Sequence, residues 1–228
     1  MSPEHVYLYI SLLMLLLAAA LLVFTKRLRR LLLITGLLAS PFALISFLFI
    51  PAYWDPPVLF HVITSPEDLL FSFSAGVIAC WLPYLLFAGG FEVHVIWRRV
   101  LLRYLGYSLL GLVIMFILLA VLDATRIMHS TLTGMLAVTM LLLWIRHELF
   151  LVSLIGATSF LCFYGCLLAF VKMIAPGFFE YWTPSAQLPF TILDVPAFEW
   201  IWSFFYGVWW PTLMAHAFDL QIRPSPVT

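Results

Sequence analysis

The sequence predicts an all-α integral membrane protein with seven transmembrane helices, and composition and segment length are the basis for this prediction. Of the 228 residues, 64% are hydrophobic and only 10% are charged, whereas a soluble domain carries about 25% charged residues. The mean hydropathy of +1.10 leaves too few polar residues to cover a soluble fold. These values exclude a cytosolic enzyme, a secreted disulfide scaffold and a disordered regulator. The net charge of zero gives no basic surface for nucleic acid.

Seven apolar runs define the predicted helices, because a bilayer core takes about 20 apolar residues per helix. The runs cover residues 5–24, 31–50, 69–88, 100–122, 131–145, 149–174 and 197–218. No basic segment precedes the first run and no small-residue cleavage site follows it. We therefore expect a retained first helix rather than a removed signal peptide.

The basic residues predict the orientation in the membrane. With seven helices the loops alternate between two sides, and the basic residues divide nine to two. The nine are Lys26, Arg27, Arg29, Arg30, Arg98, Arg99, Arg103, Arg146 and Arg223. The two are Arg126 and Lys172. Because Lys and Arg favour cytoplasmic loops, we expect a multi-pass cell-membrane protein with its N-terminus outside and its C-terminus in the cytoplasm.

An internal repeat divides the chain. The sequence Tyr-Trp-Asp-Pro at residues 53–56 recurs as Tyr-Trp-Thr-Pro at 181–184. At a common offset of 131, three residues match three others: Asp68, Ser72 and Gly76 match Glu199, Ser203 and Gly207. The prediction is two parallel three-helix repeats, residues 1–90 and 126–228, joined by a linker helix region at 91–125. The third and seventh helices would then begin on the same outer side.

Two carboxylic acids at these helix entrances are the candidate catalytic groups. Asp68 and Glu199 each begin a stripe with Ser and Gly four and eight residues later, which approximates one helix face. Small residues let helices approach closely in lipid, so we expect the third and seventh helices to pack with these carboxyls facing each other. A charged acid in an apolar site is costly. One of the two would be protonated at neutral pH and serve as a general acid.

The acids at the helix entrances and the aromatic residues of the seventh helix also have purely structural explanations. Acids in the first turn favour the helix dipole, and Ser65 is a natural N-cap; this alternative is strongest for Glu67. Aromatic residues occupy eight of the thirteen positions from 198 to 210. Trp54 and Trp182 suit an interfacial belt, but the aromatic rings on the Glu199 face suit the stabilisation of a carbocation. Plain packing is the alternative for these rings.

The helix entrances resemble a known family. The Trp54-Asp55 pair, the Pro-Glu-Asp-Leu-Leu-Phe opening at 66–71 and the Pro-x-x-Glu-Trp-x-Trp opening at 196–202 resemble the lycopene cyclase domain family, of the integral membrane type. The resemblance extends over both repeats and the seven-helix plan. It implies cyclisation of the acyclic ends of lycopene into ionone rings. This reaction is an isomerisation without net redox change, and it requires no cofactor.

The resemblance also implies the site residues. Glu67 and Asp68 match the first acidic pair of the family pattern, whereas in the second motif only Glu199 matches, because Phe198 replaces the other acid. The expected catalytic residues are therefore Glu67, Asp68 and Glu199. The expected substrate contacts are Trp54, Phe71, Trp182, Trp202 and Tyr206.

A second function remains open at the level of sequence. A non-catalytic membrane module that binds an isoprenoid or scaffolds partner proteins would use the acids as caps and the aromatics for packing. The expected partners are a lipophilic isoprenoid and the lipid bilayer, with a homo-oligomer or a membrane partner left open. No metal site is expected, because no His or acid at ligand spacing joins Cys162 and Cys166.

Overall fold

A computed structural model describes residues 5–60, 64–87 and 96–221, which form seven α-helices. The helices are α1 (Val6–Phe24), α2 (Arg29–Ala39), α3 (Pro66–Phe87), α4 (Trp97–Val121), α5 (Ile127–Ile145), α6 (Phe150–Ile174) and α7 (Ala197–Ala217). A 3₁₀ segment at Ser40–Leu48, here called the α2 extension, continues α2. Two short strands, β1 (Thr191–Ile192) and β2 (Val195–Pro196), pair antiparallel just before α7.

Six helical segments of the described chain are long and apolar enough to cross a membrane. They are α1, α2 with its extension, α3, α4, α5 and α6 with the short turn before it. The seventh helix, α7, has 21 residues, which correspond to about 31 Å. Eight of its 21 residues are aromatic, and most of its residues are buried against other helices. The predicted helical architecture is therefore confirmed, and six of its segments have the length and apolar composition of membrane-spanning helices.

Helices α2, α3, α4 and α5 begin earlier than their apolar runs, and the difference is largest for α5. The fifth run was expected to begin at residue 131, but α5 begins at Ile127. Its first turn contains polar side chains that bond within the helix: Ser130 donates to the Arg126 carbonyl and Thr131 to the Ile127 carbonyl. These bonds satisfy the hydroxyl groups without water, so a polar first turn remains helical.

Helix α7 lies at the centre of the bundle. It packs along α6 and also contacts α3, α4 and α5. The closest approach is at two glycines, where a Cβ atom added to Gly207 would lie 2.5 Å from the Gly156 carbonyl oxygen of α6. Small residues at both positions therefore bring the two backbones together, as is common in membrane helix pairs.

The predicted packing of the small-residue stripe is partly wrong. The third and seventh helices do contact each other, but Gly76 packs against α2, where an added Cβ would lie 2.5 Å from the Ala39 Cβ. Likewise, Gly207 packs against α6. The reason is geometric, because eight residues of an α-helix rotate the side-chain direction by about 80°. Asp68 therefore lines the interior of the bundle while Gly76 meets the neighbouring helix.

Charged groups gather at the end of the bundle opposite Asp68 and Glu199. Arg103 at the start of α4 and Arg146 between α5 and α6 both pair with Asp219, at 3.3 and 3.4 Å. Arg146 also donates to the Leu220 carbonyl at 2.7 Å. These contacts join α4, the turn between α5 and α6, and the segment that follows α7. Arg223, one of the nine basic residues counted above, lies outside the described residues.

The α6–α7 crossing predicts a specific loss of stability. Replacing Gly207 by alanine would press a methyl group into the α6 backbone, and overpacking of this kind costs about 1–3 kcal/mol. Gly106→Ala is the matched control, because a Cβ at that α4 position would meet no atom within 4 Å. Unfolding of the purified protein in mixed micelles measures the stability of both variants. Equal stability of the two variants would contradict the close crossing.

Candidate functional site

A cavity of about 180 Å³ lies among α3, α5, α6, α7 and the α2 extension. Its wall is largely apolar and aromatic, and Asp68 and Glu199 are its two carboxyl groups. Of the eight predicted site residues, seven line it: Trp54, Asp68, Phe71, Trp182, Glu199, Trp202 and Tyr206. The structure therefore brings the two predicted helix entrances into one site.

Asp68 is buried at the start of α3, with 5% of its surface exposed. Its Oδ1 accepts a hydrogen bond of 2.7 Å from the Tyr7 hydroxyl of α1. Its Oδ2 accepts bonds from the Ser46 hydroxyl (3.0 Å) and from the backbone N–H and hydroxyl of Ser65 (3.1 and 3.0 Å). The Ser65 hydroxyl also accepts from the Asp68 N–H at 3.1 Å. This is the reciprocal pattern of a capping box, so Asp68 both caps α3 and faces the cavity.

Glu199 has a similar environment at the start of α7, also with 5% of its surface exposed. Its Oε1 accepts hydrogen bonds from the Tyr53 hydroxyl at 2.7 Å and the Trp182 indole N–H at 2.9 Å. Its Oε2 accepts a bond of 3.0 Å from the Tyr164 hydroxyl of α6. Three donors from three separate segments therefore hold this carboxyl group.

The two carboxyl groups share one hydrogen-bonding pattern. In each, one oxygen accepts from an N–H group that can only donate, from Ser65 or Trp182. Among the described residues, the other oxygen bonds to a tyrosine hydroxyl alone, that of Tyr7 or Tyr164. Because a hydroxyl can donate or accept, this second oxygen can gain or lose a proton without losing its partner. Each carboxyl–tyrosine pair is therefore suited to proton transfer.

Burial strengthens the preference of Tyr53 for its protonated form. Desolvation and the neighbouring Glu199 carboxylate together raise the pKa of Tyr53 well above its usual value. The phenol is therefore neutral over the physiological range and remains a hydrogen-bond donor to Glu199.

Two loops that carry the repeated Tyr-Trp sequence pair with each other above the site. The Asp55 N–H donates to the Tyr181 carbonyl and the Thr183 N–H to the Tyr53 carbonyl, both at 2.9 Å. The indole rings of Trp54 and Trp182 lie 5.2 Å apart between these bonds. This pairing positions Tyr53 from one loop and Trp182 from the other on the same oxygen of Glu199.

Aromatic rings form the wall beside Glu199. The Trp202 ring lies 6.0 Å from Phe71 of α3, 5.3 Å from Tyr164 of α6 and 5.1 Å from Tyr206 of its own helix. Aromatic faces attract positive charge. A cation formed in this part of the cavity would therefore lie among several ring faces.

Glu67 differs from the other predicted site residues because it does not line the cavity. It is buried, and its Oε1 accepts a bond of 2.9 Å from the Leu59 backbone N–H. Its Oε2 has no hydrogen-bond partner within the described chain. The geometry favours the structural alternative for this residue, in which Glu67 attaches the preceding loop to the first turn of α3.

Four partners of the carboxyl groups were not predicted from the sequence. They are Tyr7, Ser46, Tyr53 and Tyr164. Tyr7 and Tyr164 lie inside apolar runs, where a tyrosine usually indicates a hydroxyl that needs a buried partner. That signal was available, but it does not reveal which acid is the partner. Within the ranges that the structure describes, no group of three or more His, Cys, Asp or Glu residues could hold a metal ion.

The tyrosine contacts predict a stability difference. Tyr164→Phe removes the one donor to Glu199 Oε2 that the described residues supply, and a buried acceptor left without a partner costs about 1–3 kcal/mol. Tyr9→Phe is the control, because Tyr9 is an exposed tyrosine of α1 and surface changes stay within about 0.5 kcal/mol. Chemical unfolding in micelles measures the free energy of unfolding of the two variants. Identical unfolding of both variants would argue against the Tyr164–Glu199 bond.

No protein-family model, curated protein or solved structure matches this chain. The basis for a functional proposal is therefore the chemistry of the cavity and its two carboxyl groups.

Proposed function

We propose that this protein is a membrane-embedded cyclase for the acyclic end group of a carotenoid-like isoprenoid, acting by acid–base isomerisation without a cofactor. One observation carries the proposal. Two buried carboxyl groups, each bonded to a tyrosine, line a single cavity whose other walls are apolar and aromatic. Such a site combines a proton donor, a proton acceptor and a place for a hydrocarbon.

The size and polarity of the cavity support this substrate class. An engineered protein cavity of about 150 Å³ binds benzene, and the present cavity of about 180 Å³ is slightly larger. It therefore suits one end of a hydrocarbon rather than a whole carotenoid. A lipophilic chain attached to that end would remain in the bilayer or between helices.

The proposed reaction transfers one proton to the substrate and removes another from it. No external electron acceptor takes part. Glu199 gives a proton to the terminal carbon–carbon double bond, which becomes a tertiary carbocation. An internal double bond of the same end group attacks the cation, so a ring-closing carbon–carbon bond forms and the positive charge moves into the ring. Asp68 removes a neighbouring proton and a ring double bond forms. Asp68 then releases its proton to water and Glu199 takes one up from water, which restores both groups.

The hydrogen bonds support this division of roles. From the residues that the structure describes, Asp68 accepts four hydrogen bonds and Glu199 accepts three. The additional donors around Asp68 suit a carboxylate, so we assign it the role of proton acceptor. Glu199 adjoins the aromatic wall around Trp202, where a newly formed cation would be stabilised by about 0.5–2 kcal/mol per well-placed ring.

A non-catalytic isoprenoid-binding module is the second candidate, and a specific observation favours it. Each carboxyl group connects separate elements: Asp68 joins α3 to α1 and to the α2 extension, and Glu199 joins α7 to α6 and two loops. Such contacts stabilise a fold without any reaction. In this alternative the cavity retains its ligand unchanged.

We also propose that α7 crosses the membrane as a seventh helix, with the carboxyl end of the bundle outside. The nine-to-two division of basic residues supports the orientation. The pairing of the two Tyr-Trp loops and the similar environments of Asp68 and Glu199 support two equivalent halves.

Removing either carboxyl group tests the reaction. Asp68→Asn and Glu199→Gln keep the side-chain volume but cannot transfer the proton, so we expect product formation to fall at least 100-fold, since general acid–base catalysis contributes about 10²–10⁴-fold. Trp202→Leu should reduce the rate less, because one cation–π contact contributes about 0.5–2 kcal/mol. The measurement is pigment chromatography after expression in lycopene-accumulating cells, normalised to protein in the membrane.

Matched controls distinguish catalysis from folding. Asp123→Asn and Glu180→Gln change exposed carboxylates outside the cavity and should leave product formation unchanged. Full activity in the Asp68→Asn/Glu199→Gln double variant would refute the mechanism. An inactive wild-type protein that nevertheless retains a carotenoid would support the binding module.

Cysteine labelling tests the orientation. Ser185 and Arg27 are exposed on loops at opposite ends of the bundle. In a background with Cys80, Cys162 and Cys166 replaced by alanine, Ser185→Cys should react with an impermeant thiol reagent in intact cells, and Arg27→Cys should react only after permeabilisation. The reverse pattern would invert the proposed orientation.

A further inference from the structure

A second, smaller recess adjoins the carboxyl cavity on one side. It has a volume of about 40 Å³ and lies between the α2 extension, α4, α5 and α7. Five residues line both spaces: Phe42, Ile45, Thr131, Met135 and Trp209. The recess is therefore a sideways continuation of the carboxyl cavity.

The α2 extension forms a thin wall between this interior space and the lipid. A 3₁₀ helix has about three residues per turn, so residues three positions apart lie in one row. Pro41, Leu44 and Phe47 form an exposed row, in which Leu44 and Phe47 are 55% and 52% exposed. The next row contains Phe42 and Ile45, which line both spaces. A single helical segment therefore separates the interior from the membrane at this point.

The recess extends from the buried interior to the surface of the bundle. Trp209 lines its inner part and is buried, whereas Ile45, Leu112 and Met135 also line it and are only half-buried. Leu109, nearly one turn before Leu112 on α4, is 61% exposed. The three half-buried side chains are apolar, so the outer part of the recess presents a hydrocarbon surface next to the lipid-facing side of the bundle.

A long ligand in the carboxyl cavity needs such an outlet. The cavity of about 180 Å³ holds only the end of a long isoprenoid, so the rest of the molecule must pass between helices. On other sides, the helices around the cavity pack against one another: α3 contacts α6, α7 and the α2 extension, and α7 contacts α5 and α6. The recess continues the cavity between the α2 extension and the α4–α5 pair. None of the described residues that line it is charged.

We propose that the recess is a binding passage for the hydrocarbon chain of the isoprenoid whose end group occupies the carboxyl cavity. The inference rests on the proposed function. Ile45 and Met135 flank the hydrocarbon chain where it leaves the cavity, and Leu112 contacts it closer to the bilayer. The site therefore selects long isoprenoids that enter end first from the membrane.

A binding experiment with a long and a short probe tests the passage without requiring turnover. The purified protein in nanodiscs is incubated with lycopene or with tritium-labelled myrcene, an acyclic hydrocarbon short enough for the cavity alone, and protein-free nanodiscs give the background. Leu112→Trp places an indole in the passage, because Leu112 lines the recess but not the carboxyl cavity. We expect lycopene binding to fall about tenfold or more, since an overfilled position resists the passing chain. Myrcene binding should remain unchanged.

Matched variants control for the added bulk. Leu109→Trp makes the same change on the exposed side of α4 and should retain the binding of both probes. Ile45→Trp obstructs the passage from the α2 extension, and Leu44→Trp at the neighbouring exposed position is its control. The ratio of lycopene to myrcene binding should fall in Ile45→Trp and stay constant in Leu44→Trp, so the test does not depend on the folding of one variant.

The outcomes separate this inference from the proposed function. Unchanged lycopene binding in Leu112→Trp and Ile45→Trp would overturn the passage and leave the cyclase proposal intact. Equal loss of both probes in these variants would also overturn it, because a blocked passage leaves the carboxyl cavity free. A wild-type protein that binds neither probe would overturn the passage and the isoprenoid site together. Selective loss of lycopene binding, with no cyclised product from the wild-type protein, would support the passage and count against the reaction alone.

Discussion

The hydrogen bonding of two buried carboxyl groups constrains much of this structure. An acid in an apolar interior is unfavourable unless donors surround it, and the donors to Asp68 and Glu199 come from almost every neighbouring element. Helix α1 supplies Tyr7, the α2 extension supplies Ser46 and α6 supplies Tyr164. The positions of α1, the α2 extension and α6 around α3 and α7 therefore depend on the hydrogen bonds that Asp68 and Glu199 need.

Close helix packing makes this arrangement possible. At Gly76 the backbone of α3 approaches α2, and at Gly207 the backbone of α7 approaches α6. Each crossing lies deeper in the bundle than the acid on the same helix. The helices therefore converge at their glycines, while the rings of Phe71, Trp202 and Tyr164 occupy the wider space beside the acids. Small residues fix the helix spacing and large residues shape the cavity.

Sequence reasoning predicted the helical membrane class because apolar length and composition are local properties. Seven of the eight residues that it selected lie around one cavity, since repeated motifs at two helix entrances were visible. It did not predict that Glu67 would point away from the cavity, because adjacent residues on a helix differ by about 100° in direction and the sequence does not fix the starting angle.

The partners of the acids were harder to predict. Tyr7 is 61 residues from Asp68, and Tyr53 is 146 residues from Glu199. No periodic pattern connects residues that are so distant in sequence, because their contact depends on how whole helices pack. The stripe of Asp68, Ser72 and Gly76 shows the same limit. The sequence gives the spacing of these residues along α3, but only the tertiary structure decides that Gly76 packs against α2.

The backbone pairing of the two Tyr-Trp loops has a consequence for how this protein can change over evolutionary time. Tyr53 and Trp182 approach the same oxygen of Glu199 from opposite loops, and the bonds between the loops set their distance. An insertion or deletion in one loop would displace the donor carried by the other. The two loops are therefore expected to tolerate changes of length only in a coordinated way, although more than 100 residues separate them along the chain.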